Sequence, residues 1–122
     1  MSKTILLVDD DKLMRTSLRG FLEAKGFTVE EAADGSEGLK KALELKPDLI
    51  VSDVKMPNTD GLQMLEKLRA DEAGKQARVI ILSNDETANS LNGALQAGVT
   101  VYLSKANVPP EEMVEQIVIA AG

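Results

Sequence analysis

The sequence contains no histidine, no cysteine and no tryptophan. Those gaps remove whole classes of chemistry. Without Cys or His there is no zinc finger, no thiol nucleophile, no disulfide framework and no Ser-His-Asp triad. A resident metal must be held by oxygen, which restricts the choice to Mg²⁺, Ca²⁺ or Mn²⁺. Aromatics are nearly absent: Phe21, Phe27 and Tyr102 are the whole set. Long apolar runs are absent as well. Residues 5–8 and 79–82 are among the longest, far short of the ~20 needed to cross a bilayer. Residues 1–4 lead straight into such a run, without the apolar stretch and cleavage site of a signal peptide. The expectation is a cytoplasmic protein with no membrane contact. Basic residues are in the minority, 14 against 20 acidic, for a formal charge of −6. That balance, with no aromatics set between basic residues, argues against binding DNA or RNA.

What is present fits one domain over residues 1–122 with one hydrophobic core. Short apolar runs alternate with amphipathic ones. Residues 4–8, 49–52 and 79–82 are nearly continuous apolar segments, as suits strands buried on both faces of a parallel sheet. Residues 27–32 and 99–104 are mixed, with Glu30, Glu31, Thr100 and Ser104 interspersed, and read as the edge strands. Met14, Leu18, Phe21 and Leu22 share one face of a helix over about residues 12–25. Leu39, Ala42 and Leu43 mark a second helix, Leu62, Leu65 and Leu68 a third, and Leu91, Ala94 and Leu95 a fourth. Met113, Val114, Ile117 and Val118 mark the last. Gly26 and Gly98 stand where left-handed helix caps belong, and Pro109 and Pro110 where a helix opens. Strict alternation of five strands and five helices implies a doubly wound α/β fold with right-handed crossovers. Mixed second and fifth strands fit the order 2-1-3-4-5; the order 3-2-1-4-5 would make the apolar third strand an edge. In such sheets ligands bind beyond the carboxyl ends of the strands, at the switch point between strands one and three.

The residues at those ends are chemically distinctive. Strand one runs into Asp9-Asp10-Asp11, strand three into Asp53, strand four into Ser83-Asn84 and strand five into Lys105. Asp9 or Asp10 then sits beside Asp53. Clustered carboxylates repel, and a divalent cation relieves the repulsion. Lys105 and Ser83 make better sense as donors to a further anion, of which a phosphoryl group is the simplest. A carboxylate can itself accept that group as an aspartyl phosphate. Asp11 is read as a helix N-cap, and Asp60-Gly61 as a turn opening the third helix.

Over nearly its whole length the sequence resembles a response-regulator receiver domain. The carrying residues are Asp9-Asp10 after the first strand, Asp53-Val54-Lys55-Met56-Pro57 with Asp60-Gly61 after the third, Ser83 after the fourth, and Lys105 after the fifth. The resemblance implies that Asp53 is the phosphoacceptor. It implies that Mg²⁺ is held by Asp10, by Asp9 largely through water, by Asp53 and by the Lys55 carbonyl. Ser83 and Lys105 would contact the phosphoryl group, and the Tyr102 rotamer would follow Ser83. The partners implied are a histidine kinase or histidine phosphotransfer protein as donor, and a downstream protein at the face of helix four, strand five and helix five. Beyond its own phosphorylation and hydrolysis, such a chain turns over no substrate and is not an enzyme.

Three positions, Ala106, Asn84 and Val101, depart from patterns usual in the family. Ala106 stands where a proline with a cis bond is usual; a non-proline cis bond costs about 2.5–4 kcal/mol, so a trans bond or a strained loop is expected. Asn84 replaces a residue that is often smaller. Lys55 and Asp85 are expected to pair over the site and slow hydrolysis. Val101 stands where dimerising winged-helix regulators usually carry Asp, and the fifth helix has no Arg or Lys, so a monomer is expected. The sequence ends soon after that helix, with no output domain in view. Two rivals remain: a haloacid-dehalogenase-type phosphatase using Asp9-x-Asp11, and a non-signalling engineered or reconstructed receiver scaffold. With no histidine in the chain, the phosphohistidine of this chemistry belongs to another protein.

Overall fold

The apolar runs and amphipathic stretches resolve into alternating elements in a computed structural model describing residues 2–84, 87–99 and 101–122. The strands are β1 (Thr4–Val8), β2 (Thr28–Ala32), β3 (Leu49–Ser52), β4 (Val79–Ser83) and β5 (Tyr102–Ser104). The helices are α1 (Lys12–Ala24), α2 (Gly35–Leu45), α3 (Gly61–Ala70), α4 (Ala88–Gln96) and α5 (Pro110–Ala121), with a short 3-10 turn at Glu72–Gly74. The sheet is parallel, in the order β2-β1-β3-β4-β5.

Alternation along the central strands divides the interior in two. Leu7, Val51, Ile80 and Leu82 face α1 and α5, where they meet Leu18, Leu22, Met113 and Ile117. Leu6, Val8, Ile50 and Ile81 face the other way, onto Ala42, Met64, Leu65 and Ala94. Apolar area removed from water stabilises both layers, at roughly 25 cal/mol per Å².

Two helices end in the same way. Gly26 N–H donates to the Glu23 carbonyl and Phe27 N–H to that of Leu22; Gly98 and Val99 repeat the pattern onto Leu95 and Ala94. Both glycines have positive φ, 94° and 85°. This is the Schellman arrangement, and it favours glycine at the left-handed position. It also explains a difference from the sequence reading. Val99, assigned to the last strand, is bound into the end of α4 instead, so that β5 starts only at Tyr102. Thr100 and Asp85 lie outside the described residues.

Candidate functional site

Register brings the acids level. Val8 pairs with Ser52, so Asp9 and Asp53 leave neighbouring strands side by side. Ser83 pairs with Ser104, which sets Lys105 beside the end of β4. Asp9 and Asp53 are buried, 5% and 8% exposed, and Ser83 is 1% exposed. Asp10 is exposed. Carboxylate oxygens of Asp9, Asp10 and Asp53 all lie within 4.8 Å of one another.

Lys105 reaches into this cluster. Its Nζ lies 2.6 Å from Oδ2 of Asp9 and 2.8 Å from Oδ2 of Asp53. No cis peptide occurs among the described residues; the Lys105–Ala106 bond is trans, and the side chain spans both acids from that backbone. The other carboxylate oxygens are held by the main chain. Asp11 N–H donates to Oδ1 of Asp9 at 2.9 Å, and Val54 N–H to Oδ1 of Asp53 at 2.7 Å.

Two buried carboxylates share one ammonium. Burial pushes the Asp9 carboxyl above its ordinary value and the nearby Asp53 charge adds to this, against the opposing pull of Lys105 and the Asp11 N–H. Burial opposes the Lys105 charge as well, but its hydrogen bonds to Asp53 and Asp9, with their negative charges, hold the ammonium above the ordinary lysine range. Oxygen-only donors, most of them anionic and closely grouped, are the set a hard divalent cation takes, and the cluster could hold one.

The acid-bearing backbone is tightly built. Ser52 Oγ donates to the Asp53 carbonyl at 2.8 Å. Gly61 N–H donates to the Val54 carbonyl at 2.7 Å, and a Cβ on Gly61 would fall 1.9 Å from the Asp53 carbonyl oxygen. Asn58 adopts φ 66° and donates its Nδ2 to Oδ2 of Asp34 at 3.0 Å. Gly35 N–H donates to the Thr59 carbonyl at 2.9 Å. These bonds staple the loop after β3 to the start of α2.

Other predicted residues take separate places. Asp53, Lys55, Ser83 and Asn84 line one cavity of about 260 Å³, with the Lys55 side chain exposed. The Lys55–Asp85 pair falls on a residue outside those described. Tyr102 is half-buried against the core layer that faces α3 and α4. Asp11 caps α1, its Oδ1 accepting from Leu13 and Met14 N–H at 3.1 and 3.2 Å. That use removes it from the acid cluster and undercuts the phosphatase alternative, which needs Asp9 and Asp11 together. The sequence reading missed Arg15 and gave Ser52, which precedes the acceptor in the motif, no role; both support the acids through backbone carbonyls.

A doubly wound sheet with buried acids, a hydroxyl and an ammonium at the carboxyl edge defines a class of phosphoryl-accepting α/β modules. A family model for the response regulator receiver domain matches residues 5–118. The chain belongs to that family, the phosphoacceptor domains of two-component systems, which interact with histidine kinases and downstream effectors. It is 40% identical over 105 residues to response regulator MprA of Mycobacterium ulcerans, covering 86% of this chain and 44% of that protein. For MprA of Mycobacterium tuberculosis H37Rv the identity is 39%, with 86% and 45% covered. The chain therefore spans less than half the length of the curated relatives it matches. A CheY-like receiver from Methanospirillum hungatei superposes with a TM-score of 0.90 at 30% identity, covering 99% of this chain and 94% of that one. Chemotaxis regulator CheY4 of Vibrio cholerae gives 0.88 at 28%, with 98% and 99% covered. Among the described residues no helix is long and apolar enough to cross a membrane.

Proposed function

We propose that Asp53 accepts a phosphoryl group from a phosphohistidine on a partner histidine kinase or phosphotransfer protein. One observation carries the reading: the Asp53 carboxylate is buried beside Asp9, bridged to it by Lys105, and opens with Ser83 onto one small cavity. A carboxylate oxygen of Asp53 attacks phosphorus, the P–O bond forms, and the P–N bond to the donor imidazole breaks. The Lys105 ammonium then has a phosphoryl oxygen to bind, and the Ser83 hydroxyl donates to another. Asp9, Asp10 and Asp53, with the Lys55 carbonyl, would hold Mg²⁺. When bound, Mg²⁺ neutralises charge on the acids and on the transferring group. The chain directs its own phosphorylation and slow hydrolysis, and turns over no separate substrate.

Residues 1–122 form one receiver domain in this reading, cytoplasmic and monomeric. Ser83 moving toward the phosphate and Tyr102 repacking behind it would shift a two-state equilibrium at the face of α4, β5 and α5, where a downstream protein binds. The α5 sequence offers Glu111, Glu112 and Glu115 and no basic residue, which disfavours a charge-paired dimer there.

Acetyl phosphate with Mg²⁺ tests the assignment. The expected result is a stoichiometric gain of one phosphoryl mass that requires Mg²⁺ and is absent in Asp53→Asn. No gain in the parent chain, or an unchanged gain in Asp53→Asn, sinks it.

A further inference from the structure

Arg15 takes no part in the phosphoryl chemistry proposed above, yet it holds the backbone of the paired acids. Its Nη1 donates to the Asp9 carbonyl. Its Nε donates to Oε1 of Glu31 at 3.0 Å, and the other Glu31 oxygen accepts from Arg19 Nη1 at 2.8 Å. The Arg15 side chain is 13% exposed, so the guanidinium sits in a formed niche. On its amide side, Asp9 is fixed by donation to the Ala32 carbonyl at 3.0 Å, the last bond of the ladder with β2. Where the ladder stops, the guanidinium takes up the next carbonyl.

That carbonyl belongs to the peptide joining Asp9 to Asp10. A peptide unit is planar, so fixing its C=O also fixes the Asp10 N–H and the direction from which the Asp10 side chain departs. Asp10 is exposed, and packing does little to orient it. Arg15 reaches two of the three clustered acids through a single bond.

We propose that Arg15, itself oriented by Glu31, is a positioning residue for the divalent-cation site and strengthens cation binding by fixing the Asp9–Asp10 peptide. The proposal rests on the reading of Asp9, Asp10 and Asp53 as Mg²⁺ ligands. Its sign separates it from simple electrostatics. A guanidinium near an acidic cluster repels a divalent cation, so on charge alone its removal tightens Mg²⁺ binding; on positioning its removal weakens it.

The experiment is calorimetric titration of the full chain with MgCl₂ at fixed ionic strength, with urea unfolding in EDTA alongside. Arg15→Gln keeps most of the side-chain volume beside a cavity of about 10 Å³ also lined by Asp9, Ser52 and Asp53. It is expected to weaken Mg²⁺ binding about tenfold, the usual scale for outer support of a metal site. Arg15→Lys restores the charge without the fork and recovers only part of the loss. Glu31→Gln loosens Arg15 and weakens binding by less, in the direction that loss of its negative charge also gives. Should Arg15→Gln fail to fold, Arg15→Lys, which keeps the charge, is the deciding arm, and binding as tight as the parent's there overturns the proposal. Arg19→Gln touches Glu31 but not the Asp9 carbonyl, and is expected within roughly twofold of the parent, as for a solvent-facing ion pair. Binding in Arg15→Gln that is as tight as the parent, or tighter, overturns the proposal whatever the unfolding free energy. Unchanged binding in Glu31→Gln overturns the part assigned to Glu31. If the parent chain binds no Mg²⁺, the cation-site reading fails and takes this proposal with it.

Discussion

The Lys105 ammonium lies 2.6 and 2.8 Å from two carboxylates that are themselves buried. Removing one partner of a buried ion pair costs about 3–5 kcal/mol, because the remaining charge is left uncompensated. Lys105→Met is therefore expected to lose stability of that order in urea unfolding without metal. Its melting temperature should also rise more on adding Mg²⁺ than the parent's does, since the cation then supplies charge the lysine no longer provides. A rise no greater than the parent's would show that the ammonium is not the counter-charge of the paired acids in metal-free protein. Gly61 is the second sensitive position. A methyl group 1.9 Å from the Asp53 carbonyl cannot be accepted without displacing the backbone that carries the acid. Gly61→Ala should cost about 2 kcal/mol or more by denaturant unfolding, and should slow phosphorylation by acetyl phosphate as well. Lys55 belongs at this scale too: exposed at the mouth of the Asp53 cavity, it is expected to restrict water, so Lys55→Ala should shorten the phosphate lifetime in a single-turnover decay. An unchanged lifetime removes that role.

Helix ends and strand ends meet around the site, and their electrostatics are testable apart from it. Glu31 on β2 accepts from Arg19 and Arg15 on α1, and the Arg19 hydrogen bond, then that of Arg15, hold its carboxyl below the ordinary glutamate value despite partial burial. A carboxyl depressed in the folded state adds stability above its unfolded value, roughly 4.3, and loses it as pH falls through the folded value. The stability gap between the parent and Glu31→Gln should therefore be open at neutral pH and close on acidification below roughly pH 4. A gap independent of pH would mean that the α1–β2 ion pairs contribute nothing. The α3 start is a capping box: Asp60 Oδ1 accepts from Gln63 N–H at 2.8 Å, and Gln63 Oε1 accepts from Asp60 N–H at 3.1 Å. Asp60→Ala should cost about 1 kcal/mol in urea unfolding.

For the molecule as a whole, the absent histidine has a direct consequence. ATP given to the chain alone should leave its mass unchanged, whereas acetyl phosphate should not, because no residue here can form a phosphohistidine. The topology was legible in advance because the central strands are continuous apolar runs and the edges are not. The acids were legible because they terminate those strands, where any parallel sheet gathers its strand ends. Arg15 was not: it lies six residues past Asp9 on a helix whose visible pattern concerns its apolar face, and its partner is a backbone carbonyl, which leaves no trace in residue types. The engagement of Lys105 by both acids, rather than by an anion alone, likewise depended on side-chain reach across strands. The start of β5 was misread because Val99 has a strand-forming side chain but its N–H is taken by the end of α4.

Tyr102 is the chain's one tyrosine, and there is no tryptophan. It stands half-buried on β5, in register with Ile81 of the strand that ends in Ser83. Near 280 nm, beyond the weak phenylalanine bands, the absorbance and emission of the protein therefore come from one ring on one face, a native optical probe with no label to attach.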